Sequence, residues 1–185
     1  MKLTVKKRDG QKKSELTRIR AEKDIPAVFY AVGRENVLIT IDGHEFRGVI
    51  RKMEKGHLPT TVFELEIDGK TVSALVRDIQ YHRTTYDIIH LDFHELSDDR
   101  TVDVLVPVRC INAADSVGVK LGGFLRPVKR HVKVRCKRKD LPTAFDLDVK
   151  GMNIGHSLRV KHLSVPENVN VLLEDKDVLV VMAKR

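Results

Sequence analysis

Apolar and polar residues alternate at a period of two along most of this 185-residue chain. That rhythm commits it to half-buried β-strands. In Val62–Ile67, Phe63, Leu65 and Ile67 alternate with Glu64 and Glu66. Asp68-Gly69 and then Thr71–Val76 follow, which predicts a hairpin closed by a type I′ turn. Val37–Ile41 reads as a strand, as does Tyr86–Leu96, where Ile89, Leu91 and Phe93 share one face and Ile88, His90, Asp92 and His94 the other. Val102, Val104, Val106 and Val108 alternate with Asp103, Leu105 and Pro107, and a proline with no N–H to donate predicts an edge strand or a bulge. Val132, Val134 and Cys136 alternate with Lys133, Arg135 and Lys137, so one face is core and the other a row of positive charge. Phe145–Val149 alternates likewise, and Val169–Leu173 with Val178–Met182 around Glu174–Asp177 predict a last hairpin.

Two stretches have helical character. Phe46, Val49, Ile50 and Met53 fall at helical spacing after Asp42-Gly43, in a helix that Gly56 can stop. Ser14–Lys23 predicts a second, with Ser14 as its cap and Pro26 beyond its end. The polar stretch Ser97–Arg100 predicts a link between two mainly β domains, 1–97 and 98–185.

No apolar run approaches the ~18 residues of a membrane span, and Met1–Arg8 has no apolar signal core. Cys110 and Cys136 are too few for a disulfide framework and suggest a reducing compartment. The expectation is a soluble, cytoplasmic protein with no membrane partner. Its net charge of +8 is unevenly spread: residues 1–23 carry a net +6, residues 24–98 a net −5, and residues 99–185 a net +7. Within 126–139 eight of fourteen residues are Lys or Arg and none is acidic. Such a run is the footprint of a polyanion partner, since each neutralised phosphate releases counterions; a solvated face is the alternative. Aromatic residues at 5%, with no Trp, argue against a surface built mainly on base stacking.

The sharpest cluster is His90-x-Asp92-x-His94, whose side chains share one strand face. It reads as a solvent-facing row, as a ligand contact in which Asp accepts from base amino groups, or as a metal half-site completed by His82 or Glu95. The last would suit a metal-dependent hydrolase of phosphate esters. Cys110, Cys136 and His131 match no zinc spacing, and both cysteines read as small buried hydrophobes. Gly118, Gly122 and Gly123 lack the Gly-Lys-Ser/Thr of a phosphate loop and predict a hinge or tight turn. No nucleophile elbow or dinucleotide fingerprint is present, so neither catalytic residues, a cofactor nor a small-molecule substrate is expected. Arg8, Arg18 and Arg20 precede Tyr30, and this grouping suits phosphate or guanine bonding beside a ring that stacks on a base.

Lys7–Gly10, Leu16–Arg20 and Ile25–Tyr30 resemble the start of the bacterial large-subunit ribosomal proteins that bind 5S rRNA, and Val76–Gln80 and Ile89–Phe93 resemble two further blocks in the same order. Asp146–Gly151, Ile154–Leu158 and Val165-Pro166 resemble the C-terminal domain of the long form, of general-stress-protein CTC type. The resemblance implies an N-terminal β-barrel with a few short helices, a β-rich C-terminal domain, and a non-catalytic role on 5S rRNA in the large subunit. It implies RNA contacts at Arg8, Arg20, Tyr30, Gln80, His90 and Asp92, with Arg18 beside a family arginine position. Three positions depart from the pattern: Lys23-Asp24 stands where Gly and a basic residue are usual, and Ala31 where Gly is common. The basic run, with Arg130, Lys133, Arg135 and Lys137, is expected to touch additional rRNA or an acidic patch of a neighbouring ribosomal protein.

Overall fold

A computed structural model describes all residues except 9, 11, 32, 34, 68, 98, 99 and 185. The chain divides into two compact units, Met1–Arg100 and Thr101–Arg185.

The first unit runs β1 (Lys2–Leu3), β2 (Val5–Lys7), α1 (Lys13–Ala21), β3 (Ile25–Tyr30), β4 (Val37–Ile41), α2 (Gly43–Lys52), β5 (Val62–Ile67), β6 (Lys70–Tyr81) and β7 (Ile88–Glu95). The strands form one sheet in the order β1-β5-β6-β7-β3-β4-β2. Its outermost strands, β1 and β2, are separated in sequence by Thr4 alone, so one short segment holds both ends and the sheet curls into a nearly closed barrel. The inward residues of each strand fill it. Phe63 meets Phe46 of α2 at 6.0 Å between ring centroids and Phe93 edge-on at 5.9 Å, and Ile25, Ile39, Ile41, Leu65 and Leu91 complete the core. α2 begins where Asp42 accepts from the backbone N–H groups of His44 and Glu45, satisfying two donors the helix leaves open.

Several expectations are corrected. α1 starts at Lys13 after Lys12, so Ser14 lies inside the first turn and caps nothing. It closes in a Schellman arrangement: Asp24 N–H donates to Ile19 O, Lys23 N–H to Arg20 O, and Lys23 takes a left-handed φ of 65°. α2 ends at Lys52, with Met53 already extended, so Gly56 lies in the following turn and does not stop the helix. Ile67 pairs with Lys70 in the β5–β6 hairpin, but the type I′ assignment falls on Asp68, outside the described residues. β7 begins at Ile88, because Tyr86 adopts φ 57° in the preceding turn. Ile88, placed by alternation beside His90, packs against the core because the ladder to β6 skips Ile89 between them.

The second unit comprises β8 (Thr101–Ile111), α3 (Val117–Lys120), β9 (Gly123–Pro127), β10 (His131–Lys137), β11 (Phe145–Asp148), β12 (Ser157–Arg159), β13 (Asn170–Val171) and β14 (Val178–Lys184). These make a four-stranded sheet, β11-β8-β10-β13, and a three-stranded one, β12-β14-β9. Both contribute to one core, with Val106, Val132, Val134 and Cys136 from the first and Leu179 and Val180 from the second. Cys110 is partly exposed rather than buried, and burial raises the pKa of both thiols. β8 pairs with β10 from Thr101 to Pro107 and with β11 from Val108 to Ile111. The proline thus stands where β8 changes partner, with a ladder on one side only, as its missing N–H requires. The expected last hairpin does not form, because β14 lies between β9 and β12 with both hydrogen-bonding edges used, and β13 pairs with β10 instead. Of the two readings offered for the glycines, the structure shows a tight turn, with Gly122 at φ 85°. A Cβ on Gly118 would meet Met182 Cγ at 2.7 Å and Met152 O at 2.9 Å, so that position is closely packed.

Candidate nucleic-acid interface

Strand alternation sends Leu91 and Phe93 into the barrel and His90, Asp92 and His94 to its outer surface. The neighbours of β7 extend that surface sideways. Gln80 and Asp78 of β6 stand opposite His90 and Asp92, while Val28 and Tyr30 of β3 stand opposite Asp92 and His94. Directly paired residues present their side chains on the same face. Tyr30, Gln80, His90 and Asp92 therefore share a patch three strands wide, about 10 Å across at the usual strand spacing.

Two irregularities shape the patch. In β6, Val76 pairs with Phe93 and Asp78 with Asp92, so Arg77 is the extra residue of a bulge. In β7, Gln80 pairs with His90 and Tyr81 with Ile88, leaving Ile89 unpaired on that side. Arg20 uses the second irregularity: its Nε donates to Ile89 O at 3.2 Å, which ties α1 to the strand that carries His90 and Asp92. Arg8, following β2, donates from its backbone N to Leu38 O at 3.0 Å and from Nη1 to Gly10 O at 3.0 Å. Its Nε is buried with no hydrogen-bond partner among the described residues.

The electrostatics show that these groups form one cluster. His90 Nδ1 lies 2.9 Å from Asp92 Oδ1, as a close approach rather than an aligned hydrogen bond. Burial pushes the His90 pKa below its ordinary value, Asp92 opposes the shift, and Arg8 and then Arg20 add to it. Burial and Arg20 likewise disfavour the charge on Arg8, while Glu15 favours it. Sequence reasoning passed over Glu15, Asp78 and Arg77. The first becomes relevant only once α1 folds back toward β2, and the other two only through a bulge that no glycine announces.

Arg18 is not drawn into this cluster. It lies two residues from Arg20, about 200° around the helix, with its Nε 3.8 Å from Glu22 Oε1 and three-quarters of its side chain exposed. His94 turns a ring nitrogen to Glu95 O at 3.1 Å. Among the described residues no three His, Cys, Asp or Glu side chains gather as metal ligands. The surface offers two guanidiniums for phosphates, the Asp92 and Asp78 carboxylates and the Gln80 amide for base edges, the His90 and His94 imidazoles and the Tyr30 phenol.

In the second unit Lys133, Arg135 and Lys137 do stand on the exposed face of β10, opposite Leu105, Asp103 and Thr101. Asp103 answers much of that charge. It accepts from Arg135 Nε at 2.6 Å and Nη2 at 3.1 Å, and lies 3.3 Å from Lys133 Nζ. These contacts hold its carboxyl below the usual carboxylate range, the Arg135 hydrogen bond being the main cause. Lys129 Nζ pairs with Asp177 at 2.7 Å, and exposed Arg130 gives its backbone carbonyl to Val108 N–H.

Residues 3–93 match the model of the ribosomal L25p family, and residues 101–185 match that of the ribosomal protein TL5 C-terminal domain. The chain is 44% identical to large ribosomal subunit protein bL25 of Chlamydia muridarum, 43% to that of Chlamydia pneumoniae and 42% to that of Chlamydia caviae, each over the whole of both chains. A two-unit β architecture and full-length identity to ribosomal proteins, not enzymes, agree: the chain belongs to the ribosomal L25p family, in the long form that carries a TL5-type C-terminal domain.

Proposed function

We propose that the chain is a structural constituent of the large ribosomal subunit in the bacterial cytoplasm, and that its first unit binds 5S rRNA through the outer face of β3, β7 and β6. The observation that carries this reading is the convergence of Arg8, Arg20, His90 and Asp92 from distant parts of the sequence on the face that also bears Tyr30 and Gln80. A shallow, three-strand surface of short polar side chains suits the wide minor groove of an RNA helix, where base edges and 2′-hydroxyls are accessible. Arg8 and Arg20 neutralise phosphates and fix orientation, while Asp92, His90, Gln80 and Tyr30 contact base edges and sugars. Arg18, at the rim, contributes phosphate attraction only. The second unit adds a subordinate contact to neighbouring rRNA through Arg130, Lys133, Arg135 and Lys137.

Titrating the purified chain with 5S rRNA, against tRNA as competitor at two salt concentrations, tests this. Tight, tRNA-resistant binding with partial loss at high salt is expected. Equal, weak binding of both RNAs would mean that the charge is generic.

A further inference from the structure

Residues 82–87 join β6 to β7 at the end of the proposed surface. Tyr86, 77% exposed, is the most exposed of the large apolar and aromatic side chains described, and Tyr81 at the base of the turn is 51% exposed. Neither ring's exposure comes from a loose connection. His82 N–H donates to Asp87 O at 2.7 Å, Tyr86 N–H donates to His82 O at 3.0 Å, and the His82 ring nitrogen Nδ1 accepts from the backbone of Thr84 and Thr85. Tyr86 is held there at φ 57°, a region that bulky side chains rarely occupy and that glycine takes freely. A fixed turn thus carries an aromatic ring into solvent, in a strained conformation, with little packing inside the chain in return. Strain and exposure together point to a function outside the chain.

The chemistry of the turn indicates the partner. Between the two tyrosines the turn supplies His82, Arg83, Thr84 and Thr85, with Gln80 just before Tyr81; its one carboxylate, Asp87, follows Tyr86. Gln80 is paired with His90, so the turn continues the same surface within a few residues. We propose that this tip is a second RNA contact, in which Tyr86 stacks on an unpaired base and Arg83 neutralises a phosphate beside it. The proposal rests on the reading of the first unit as a 5S rRNA binder and extends its footprint from a helical groove to a looped or splayed nucleotide, which a projecting aromatic can reach.

The test uses the full chain and 5S rRNA with Tyr86→Gly, Tyr86→Phe and Arg83→Gln. Tyr86→Gly should bind about 5- to 150-fold more weakly, the range of one lost stacking contact. Its melting temperature should stay level or rise, because glycine relieves the backbone. Tyr86→Phe, which keeps the ring, should stay close to wild type, and Arg83→Gln should reduce the salt slope by roughly one phosphate contact. If wild type prefers 5S rRNA and Tyr86→Gly binds equally well, the tip contact is overturned and the main surface stands. If wild type shows no preference, the parent reading fails and this one with it. Variants that keep RNA affinity but lose ribosome association would overturn the RNA assignment in favour of a protein neighbour.

Discussion

The second unit holds the densest positive charge in the sequence, and the first unit the better-organised charge in three dimensions. Along 126–139 eight basic residues crowd together, yet Asp103, on the neighbouring strand, engages both Lys133 and Arg135, and Asp177 engages Lys129. In the first unit Arg8 and Arg20, far from His90 in sequence, come close enough to oppose its charge while Asp92 favours it, and Arg20 donates to the Ile89 carbonyl at a strand irregularity. A run measures charge along the chain, whereas a partner meets charge across the strands. In a sheet the register decides which counter-charge stands opposite.

The comparison can be broken most directly at the RNA. Arg20→Ala and Asp92→Ala should each weaken 5S rRNA binding by about 1–3 kcal/mol in a titration at fixed salt, as loss of a specific contact does. Wild-type affinity in both would remove them from the interface. Neutralising Lys133, Arg135 and Lys137 together should weaken ribosome association and flatten its salt dependence, but by nearer one phosphate contact than three, because Asp103 already balances part of the charge. Asp103→Asn should do the reverse and make binding to tRNA tighter and more salt-sensitive; no change would show that these pairs are too weak to mask the basic face.

The two clusters should also differ in their response to acid. Native His90 binds a proton less readily than the unfolded chain does, so its contribution to stability is complete above about pH 6.5 and declines as pH falls below it. Phosphates placed beside His90 would raise its pKa, so RNA binding near pH 6 should take up a proton, measurable by calorimetry in buffers of different ionisation enthalpy. Asp103, held below its ordinary value, stabilises the second unit above about pH 4 and ceases to do so as pH drops further. Thermal melts at pH 7.5, 5.5 and 3.5 separate the two. The smallest effect concerns Lys23: Lys23→Gly should raise stability by roughly 0.5–1 kcal/mol, because the residue occupies a left-handed position that glycine adopts without strain. That position also gives a physical reason why glycine is usual there in the family.

Most strands could be read from the sequence because alternation is local, and α2 because its apolar spacing is local too. What could not be read is non-local. Nothing in Ile25–Tyr30 announces a parallel partner in β7, and nothing in Asn170-Val171 reveals that it joins β10 rather than β14. Of the site, His90 and Asp92 were visible as alternate residues of one strand, and Tyr30 and Gln80 through family resemblance. The attachment of Arg20 to β7 is made at the Ile89 irregularity, which has no glycine or proline to mark it. The role of Gly118 was hidden for a similar reason: it is small because Met152 and Met182 crowd it, and a sequence does not distinguish a crowded glycine from a free one.

The barrel's closure has a consequence for assembly. Lys2–Leu3 pairs in parallel with β5 and Val5–Lys7 pairs with β4, so residues 2–3 cannot settle until a segment some sixty positions later exists. Contacts of that span are slow to form, since the loop must close before they give anything back. The same segment seals both sheet edges, so trimming it or delaying its arrival would bare β4 and β5 together. A folding intermediate in that state carries two unpaired strands, each a template for a neighbouring chain, and aggregation of nascent or truncated protein would begin there.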